Sequence, residues 1–388
     1  MISSSYIELS KSALKKNIQF LKKQIGPHAT MSSVVKANAY GHGIEKFIPL
    51  AEQCGIRHFS VFSAEEALRV FRARTKNSDI MITGSVDNEA LEWAIVNDIS
   101  FYIFNLDRLK ETNRIAKNLD TQARIHLELE TGLNRTGLTG ENLQKAIALI
   151  LDNPRLIQLE GVCTHLAGAE SIANYKRILE QLASYDEQCA LLRRQGLDCG
   201  LRHTAASAAA LTYPESRMDM VRIGIAQYGF WPSNETKMQY ILKHESESDT
   251  RYNDPLKRVL TWKSHIMNLK KIKPGEFVGY GTSYQTMKKQ TIASVPIGYF
   301  HGFGRNLSNL GRVLINGRRV NVIGNVNMNM LMVNVSELQN PRVGDEVVII
   351  GKQQRSQITV SSFSDMSNLL NYEALVRLPA EIPRVVVS

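Results

Sequence analysis

A (β/α)8 barrel followed by a mainly β domain is the α/β architecture that this 388-residue sequence predicts. Three observations carry it. Short apolar, β-branched segments recur every 20–45 residues through roughly the first 225. Helix-period stretches separate them, and alternating strands and helices imply a parallel sheet. After about residue 235 the alternation stops, and short strands punctuated by glycine and proline replace it.

The expected barrel strands, in order, are Ser33–Val35, His58–Val61, Asp79–Ile82, Phe101–Phe104, Ala123–Leu129, Leu159–Thr164, Leu201–His203 and Met220–Ile223. Helical periodicity covers Ile44–Cys54, Ala64–Arg74, Glu89–Asn97, Asp107–Asn118, Asn142–Leu151, Asn174–Gln195 and Ser207–Leu211. Lys243–Pro255 is polar with mixed charge and reads as a linker or exposed loop. Beyond it, Thr291–Pro296, Arg312–Ile315, Val320–Ile323, Met330–Val335 and Glu346–Ile350 read as strands. The expected domains are a barrel over 10–238 and a β-domain over 239–388, to which residues 1–9 contribute the strand Tyr6–Leu9.

Composition narrows the function classes. Hydrophobic residues are 43% and charged residues 22%, ordinary for a soluble globular protein. No apolar run has the length of a membrane span, and Met1–Ser10 has no secretory pattern. Cys54, Cys163, Cys189 and Cys199 include no CxxC pair, so they read as reduced thiols of a cytoplasmic protein with no metal site. The net charge of +10 invites a nucleic-acid reading, but the basic residues are scattered and no nucleic-acid motif appears. A solvated surface that attracts an anionic cofactor or substrate fits better.

The chemistry concentrates at strand ends. In Val34-Val35-Lys36-Ala37-Asn38-Ala39-Tyr40-Gly41-His42-Gly43, the valines suit a buried strand and Lys36 falls at its carboxyl end. A lysine there loses hydration, which lowers its pKa and lets the amine attack a carbonyl. His165, in Gly161-Val162-Cys163-Thr164-His165, and Arg222, in Met220-Val221-Arg222-Ile223-Gly224-Ile225, also follow strands. A barrel places its active site on that face.

The Val34–Gly43 string resembles the cofactor-lysine motif of the alanine racemase family, fold-type III pyridoxal-phosphate enzymes, and the order of segments is similar over the full length. The resemblance implies a pyridoxal 5'-phosphate-binding barrel and a β-domain, with Lys36 holding the cofactor and Tyr40 touching its phosphate. Glu130-Thr131-Gly132-Leu133-Asn134-Arg135 resembles the family segment whose arginine faces the cofactor's phenolate oxygen and the substrate carboxylate, which assigns that role to Arg135. The resemblance gives Arg222 the pyridine nitrogen and His165 a hydrogen bond to Arg222. Ser207, Gly224 and Ile225 take the phosphate. A guanidinium does not release its proton, its pKa being above roughly 12. The pyridine facing Arg222 would stay unprotonated and be a weaker electron sink, which suits racemisation over transamination.

Inverting a stereocentre needs a proton removed on one face and delivered on the other. Lys36 covers one face. Tyr280, in Val278-Gly279-Tyr280-Gly281, is the expected second base, reaching in from a partner subunit as the family's tyrosine does. A tyrosine's ordinary pKa is about 10, so that role needs surroundings that favour phenolate. Tyr299 resembles the tyrosine narrowing the substrate entrance, and Met328 the residue whose backbone N–H meets the substrate carboxylate. The resemblance therefore implies an isomerase interconverting L- and D-alanine, an obligate homodimer with shared sites, cytoplasmic, without membrane or nucleic-acid partners, and supplying peptidoglycan precursors.

Four positions depart from the family pattern. Glu128 stands where many members carry a carbamylated lysine that orients the arginine, and its shorter reach leaves direct contact or a bridging water open. Asn329 and His301 replace acidic residues. Ala380, in Pro379-Ala380-Glu381-Ile382-Pro383-Arg384, replaces a tyrosine that crowds the substrate methyl. The added space points to an alternative, a racemase of larger or basic amino acids such as serine, lysine, ornithine or arginine, which Glu381 would favour. A fold-type III decarboxylase also has a barrel and a β-domain, but gains from a stronger electron sink. A small pyridoxal-phosphate carrier lacks the β-domain.

Overall fold

The computed structural model describes residues 3–244, 253–367 and 371–388. Residues 245–252 of the expected linker lie outside them, and its first two residues, Lys243 and His244, end the helix Asn234–His244. The chain divides into two compact units. One comprises Ala13–Lys36 and Ile48–Lys257; the other comprises Met1–Ser12, Ala37–Phe47 and Arg258–Ser388.

After β1 (Ser5–Ser10), the first of these units is built on eight parallel strands: β2 (Thr30–Val34), β3 (His58–Val61), β4 (Asp79–Ile82), β5 (Ser100–Ile103), β6 (Ala123–Glu128), β7 (Ile157–Cys163), β8 (Leu201–His203) and β9 (Met220–Ile223). Their order, β8-β7-β6-β5-β4-β3-β2-β9, is sequential apart from β9, which joins β2 at the far edge. The seam between β8 and β9 is closed by an isolated bridge, Ala206 to Arg222, and by the bonds Asp219 N to Arg202 O (3.0 Å) and Arg222 N to Ala205 O (2.9 Å). A sequential parallel sheet closed on itself is the (β/α)8 barrel. β3, β5 and β9 are buried at every residue, as strands of a parallel sheet covered on both faces are. Intervening helices are capped where the sequence supplies the side chains: Ser63, Asp87 and Asn105 each accept a backbone N–H of the following first turn.

The second unit carries a ten-stranded sheet. It contains β10 (Leu260–His265), β11 (Asn268–Ile272), β12 (Gln290–Val295), β13 (Arg312–Ile315), β14 (Arg318–Ile323), β15 (Leu331–Asn334), β16 (Glu346–Gln353), β17 (Ser356–Ile358) and β18 (Arg384–Val387). The order is β11-β12-β15-β14-β13-β16-β10-β1-β18, with β17 on β16. β1 lies antiparallel to β10 and parallel to β18. Ile7 and Leu9 of β1 and Trp262 of β10 are fully buried beneath this sheet.

The residues after Lys36 take an unusual path. Ala37, Asn38, Ala39 and Tyr40 all have φ between 50° and 56°. Left-handed backbone costs an L-residue about 1–2 kcal/mol, so four in a row persist only because neighbours over-determine them. Gly41, His42 and Gly43 donate back to Ala37, Ala39 and Asn38, at 3.1, 3.0 and 2.9 Å. The Asn38 side chain accepts from Ile44 N (3.2 Å) and starts the helix Ile44–Gln53.

Candidate active site

The end of β2 is anchored before Lys36 is reached. Val34 O accepts from Gln227 Nε2 (3.0 Å) and Tyr228 Oη (2.9 Å), and Ser33 Oγ donates to Gln227 Oε1 (2.6 Å). Val35 N donates to Ser60 O across β3 (2.8 Å). Lys36 therefore leaves the sheet from a fixed point. Its side chain is open to solvent on the strand-end face. The surrounding protein still strips enough hydration to lower the amine's pKa below 10.5, and the neighbouring Arg135 and Arg222 lower it further, against Glu66.

Arg222 is held by four bonds. Nη1 reaches His203 Nδ1 (2.5 Å) and His203 O (2.8 Å); Nη2 reaches Thr164 O (2.8 Å) and Thr204 O (3.1 Å). All four use Nη1 and Nη2, which leaves Nε as the donor not engaged among the described residues. Because a guanidinium only donates, His203 Nδ1 accepts and its proton sits on Nε2. That nitrogen lies 3.0 Å from His126 Nδ1, and His126 Nε2 lies 3.5 Å from the Glu160 carboxylate. A directed chain thus runs through the barrel interior from Arg222 to His126, whose Nε2 faces Glu160. Burial first, then the charge of Arg222, keeps His203 neutral.

This differs from expectation at two residues. Arg222 takes its imidazole partner from His203 rather than His165, since His203 lies on β8, beside β9 across the seam. His165 instead belongs to the cationic cluster: burial, then Arg222, Arg135 and Lys36, push its pKa down to about 3. Gly224, expected to donate to phosphate, gives its N–H to Ser207 Oγ (2.9 Å). The Ser207 hydroxyl, accepting that bond, keeps its own proton to donate. In the sequence His203 stands out only as the end of the expected strand Leu201–His203, and nothing there marks it as a site residue.

Glu128 ends β6 and is 5% exposed. Leu138 N donates to its carbonyl (2.8 Å), so the loop carrying Arg135 folds back over the strand end. Burial raises the Glu128 pKa, while the Thr136 hydroxyl bond and then Arg135 and Arg222 oppose that rise. Thr136, which opposes that rise, belongs to the arginine's own loop. The barrel unit brings together Lys36, Arg135, His165, Arg222 and Glu128, with Ser207, Gly224 and Ile225 following β8 and β9.

The remaining expected residues belong to the other unit. Tyr40 is 7% exposed there, in the left-handed turn. Tyr280 is 75% exposed, Met328 56% and Tyr299 41%. Asn325 Nδ2 donates to Tyr280 O (2.8 Å), holding the backbone of that loop.

Residues 9–232 match the family model "Alanine racemase, N-terminal domain" and residues 259–386 the model "Alanine racemase, C-terminal domain". An alanine racemase of Leptospira interrogans is 34% identical over 385 residues, covering 99% of this chain and 96% of that protein. The alanine racemase structure of Clostridium difficile 630 superposes with a TM-score of 0.87 at 30% identity, over 100% of this chain and 96% of that one. That of Bartonella henselae, with covalently bound pyridoxal phosphate, gives 0.82 at 26% identity, over 99% and 100% of the two chains. With both family models matched in order and relatives aligned end to end, this chain belongs to the alanine racemase family.

Proposed function

We propose that this chain is a pyridoxal 5'-phosphate-dependent alanine racemase, working as a homodimer and using Lys36 and a partner's Tyr280 as opposed bases. The observation that carries the reading is the gathering of Lys36, Arg135, His165 and Arg222 at the carboxyl ends of the barrel strands.

The residues fit the cofactor. Lys36 is a primary amine of lowered pKa. Arg222 has an unengaged Nε above a fully bonded fork, and Ser207 has a hydroxyl proton to give. When bound, pyridoxal phosphate supplies a carbonyl for the amine and a ring that acidifies the substrate Cα. Arg222 Nε would meet the pyridine nitrogen and, being unable to yield its proton, keep that nitrogen unprotonated. Ser207, the Ile225 N–H and Tyr40 would hold the phosphate, and Gly224 acts through Ser207. Arg135 would orient the substrate carboxylate, helped by Met328 N–H. Lys36 Nζ would take or return the Cα proton on one face, and Tyr280 Oη on the other, with Tyr299 narrowing the entrance.

The dimer reading is supported by exposed large apolar residues in the unit that carries Tyr280. Phe277, Met287, Phe300 and Met328 are 50%, 87%, 56% and 56% exposed, apolar surface that a partner subunit would cover. No helix among the described residues is long and apolar enough to cross a membrane. In domain terms, 10–238 would bind the cofactor and 239–388, with 1–9, would supply the partner's contribution.

The test is an L- to D-alanine assay on the purified protein with added pyridoxal phosphate, alongside borohydride trapping and peptide mass analysis. Racemisation is expected, with the label fixed at Lys36. Lys36→Ala should lose at least about a thousandfold of the rate. Release of carbon dioxide, or native-rate racemisation by that variant, would refute the reading.

A further inference from the structure

Arg384 opens β18, but its side chain turns to a different task. It is 8% exposed, and its guanidinium donates to five carbonyls. Nε and Nη2 reach Gly41 O at 3.3 and 2.8 Å. Nη1 reaches Pro379 O, Ala380 O and Ile382 O at 2.6, 2.9 and 2.5 Å, and Nη2 also lies 3.5 Å from Leu378 O. A planar fork of five donors with a permanent charge suits this task, and a point-charge lysine does not.

Gly41 terminates the left-handed turn that starts one residue after Lys36. The same C-terminal region grips that turn twice more. A Cβ on Gly41 would strike the Leu375 carbonyl oxygen, and the Tyr40 ring lies 6.1 Å from that of Tyr372. His42 Nδ1 sits 3.0 and 2.9 Å from the carbonyls of Ala39 and Tyr40. Carbonyls only accept, so Nδ1 carries the proton and the imidazole is neutral, its pKa held at about 4 by burial. The turn is a conformation that L-residues disfavour, and the Arg384 side chain joins it to the C-terminal strand.

We propose that Arg384 is a positioning residue for cofactor binding. By tying Gly41 to the carbonyls of Leu378–Ile382, it holds the strained turn whose first neighbour is Lys36 and whose last left-handed non-glycine residue is Tyr40. Cofactor retention then depends on the C-terminal strand, although Arg384 itself touches neither cofactor nor substrate. The cofactor part of this rests on the assignment of Lys36 made above.

The experiment compares full-length wild type, Arg384→Gln and Arg384→Lys by amide hydrogen exchange with and without pyridoxal phosphate, and by the rate of cofactor release. In Arg384→Gln, exchange at Gly41, His42 and Gly43 should rise about tenfold, the scale of a lost charge-assisted bond, while β3 and β4 amides stay unchanged. Cofactor release should quicken by a similar factor, with Arg384→Lys between the two. Unchanged exchange at Gly41–Gly43 in a folded variant overturns the proposal. So does faster exchange without faster release. If Arg384→Gln does not fold, Arg384→Lys decides on the same readouts. Exchange in the cofactor-free protein reads the clamp alone, and Lys36→Ala reads the lysine assignment alone, so the two failures are distinguishable.

Discussion

Strand β6 begins at Ala123-Arg124 and ends at Glu128, and charge is treated differently at its two ends. Arg124 pairs with Glu160 (2.5 Å), Asp98 (3.0 Å) and Asp79 (3.2 Å). Burial works against the charge of Glu160, but bonds from His126 and Arg124 win and hold its pKa at about 2. Opposite signs are matched, and the groups stay ionised. At the other end Lys36, Arg135 and Arg222 crowd together, His165 is driven neutral, and the buried acid Glu128 has a raised pKa. Matched charges stabilise the fold. Unmatched like charges weaken each other's hold on protons, which is the property that amine chemistry and an anionic ligand require. One sheet therefore has a structural end and a chemical end, separated by the length of a strand.

That contrast can be broken by exchanging the expected effects. Arg135→Gln removes an exposed cation from the chemical end. Racemase activity should fall about a hundredfold or more, while unfolding free energy shifts by no more than about 0.5 kcal/mol. A large loss of stability with little loss of rate would reverse the assignment. Arg124→Met should do the opposite. It strands the partly buried Glu160 carboxylate and should lower unfolding free energy by about 3 kcal/mol, with activity per folded molecule retained. Urea denaturation and active-site titration measure both.

A smaller effect sharpens the picture across pH. His42 and His58 are held at about 4 and His165 at about 3, by burial in each case. Their unfolded pKa is about 6.5. Below that value the unfolded chain binds protons that the folded chain refuses, so stability is complete above 6.5 and is lost as pH falls towards 4. Each histidine contributes about 1.4 kcal/mol per pH unit across that window. Denaturation midpoints at pH 7 and pH 5 measure it, and a flat profile would mean that these imidazoles are hydrated.

Much of the barrel is legible in the sequence. β3, β4, β8 and β9 fall within the expected strand bounds; for β3 and β9 this is because a parallel strand covered on both faces is buried along its length. β10, β11, β17 and β18 lie outside the expected strands. Leu260–His265 alternates cleanly only once its partners cover one face, and Asn268–Ile272 is mostly exposed. Within the site, Lys36, Arg135 and Arg222 stand in recognisable strings, whereas His203 does not, since its importance comes from the strand that lies across the barrel seam.

The order of strands and helices, the lysine at a strand end and the glycines beside it follow from local chemistry, because burial period and backbone freedom are properties of neighbouring residues. Which imidazole meets Arg222 and the left-handed run from Ala37 to Tyr40 were decided only by the folded chain. Alanine has no intrinsic preference for that backbone region. The conformation exists because contacts from residues more than three hundred positions away, Leu375 and Arg384 among them, leave the segment no cheaper path.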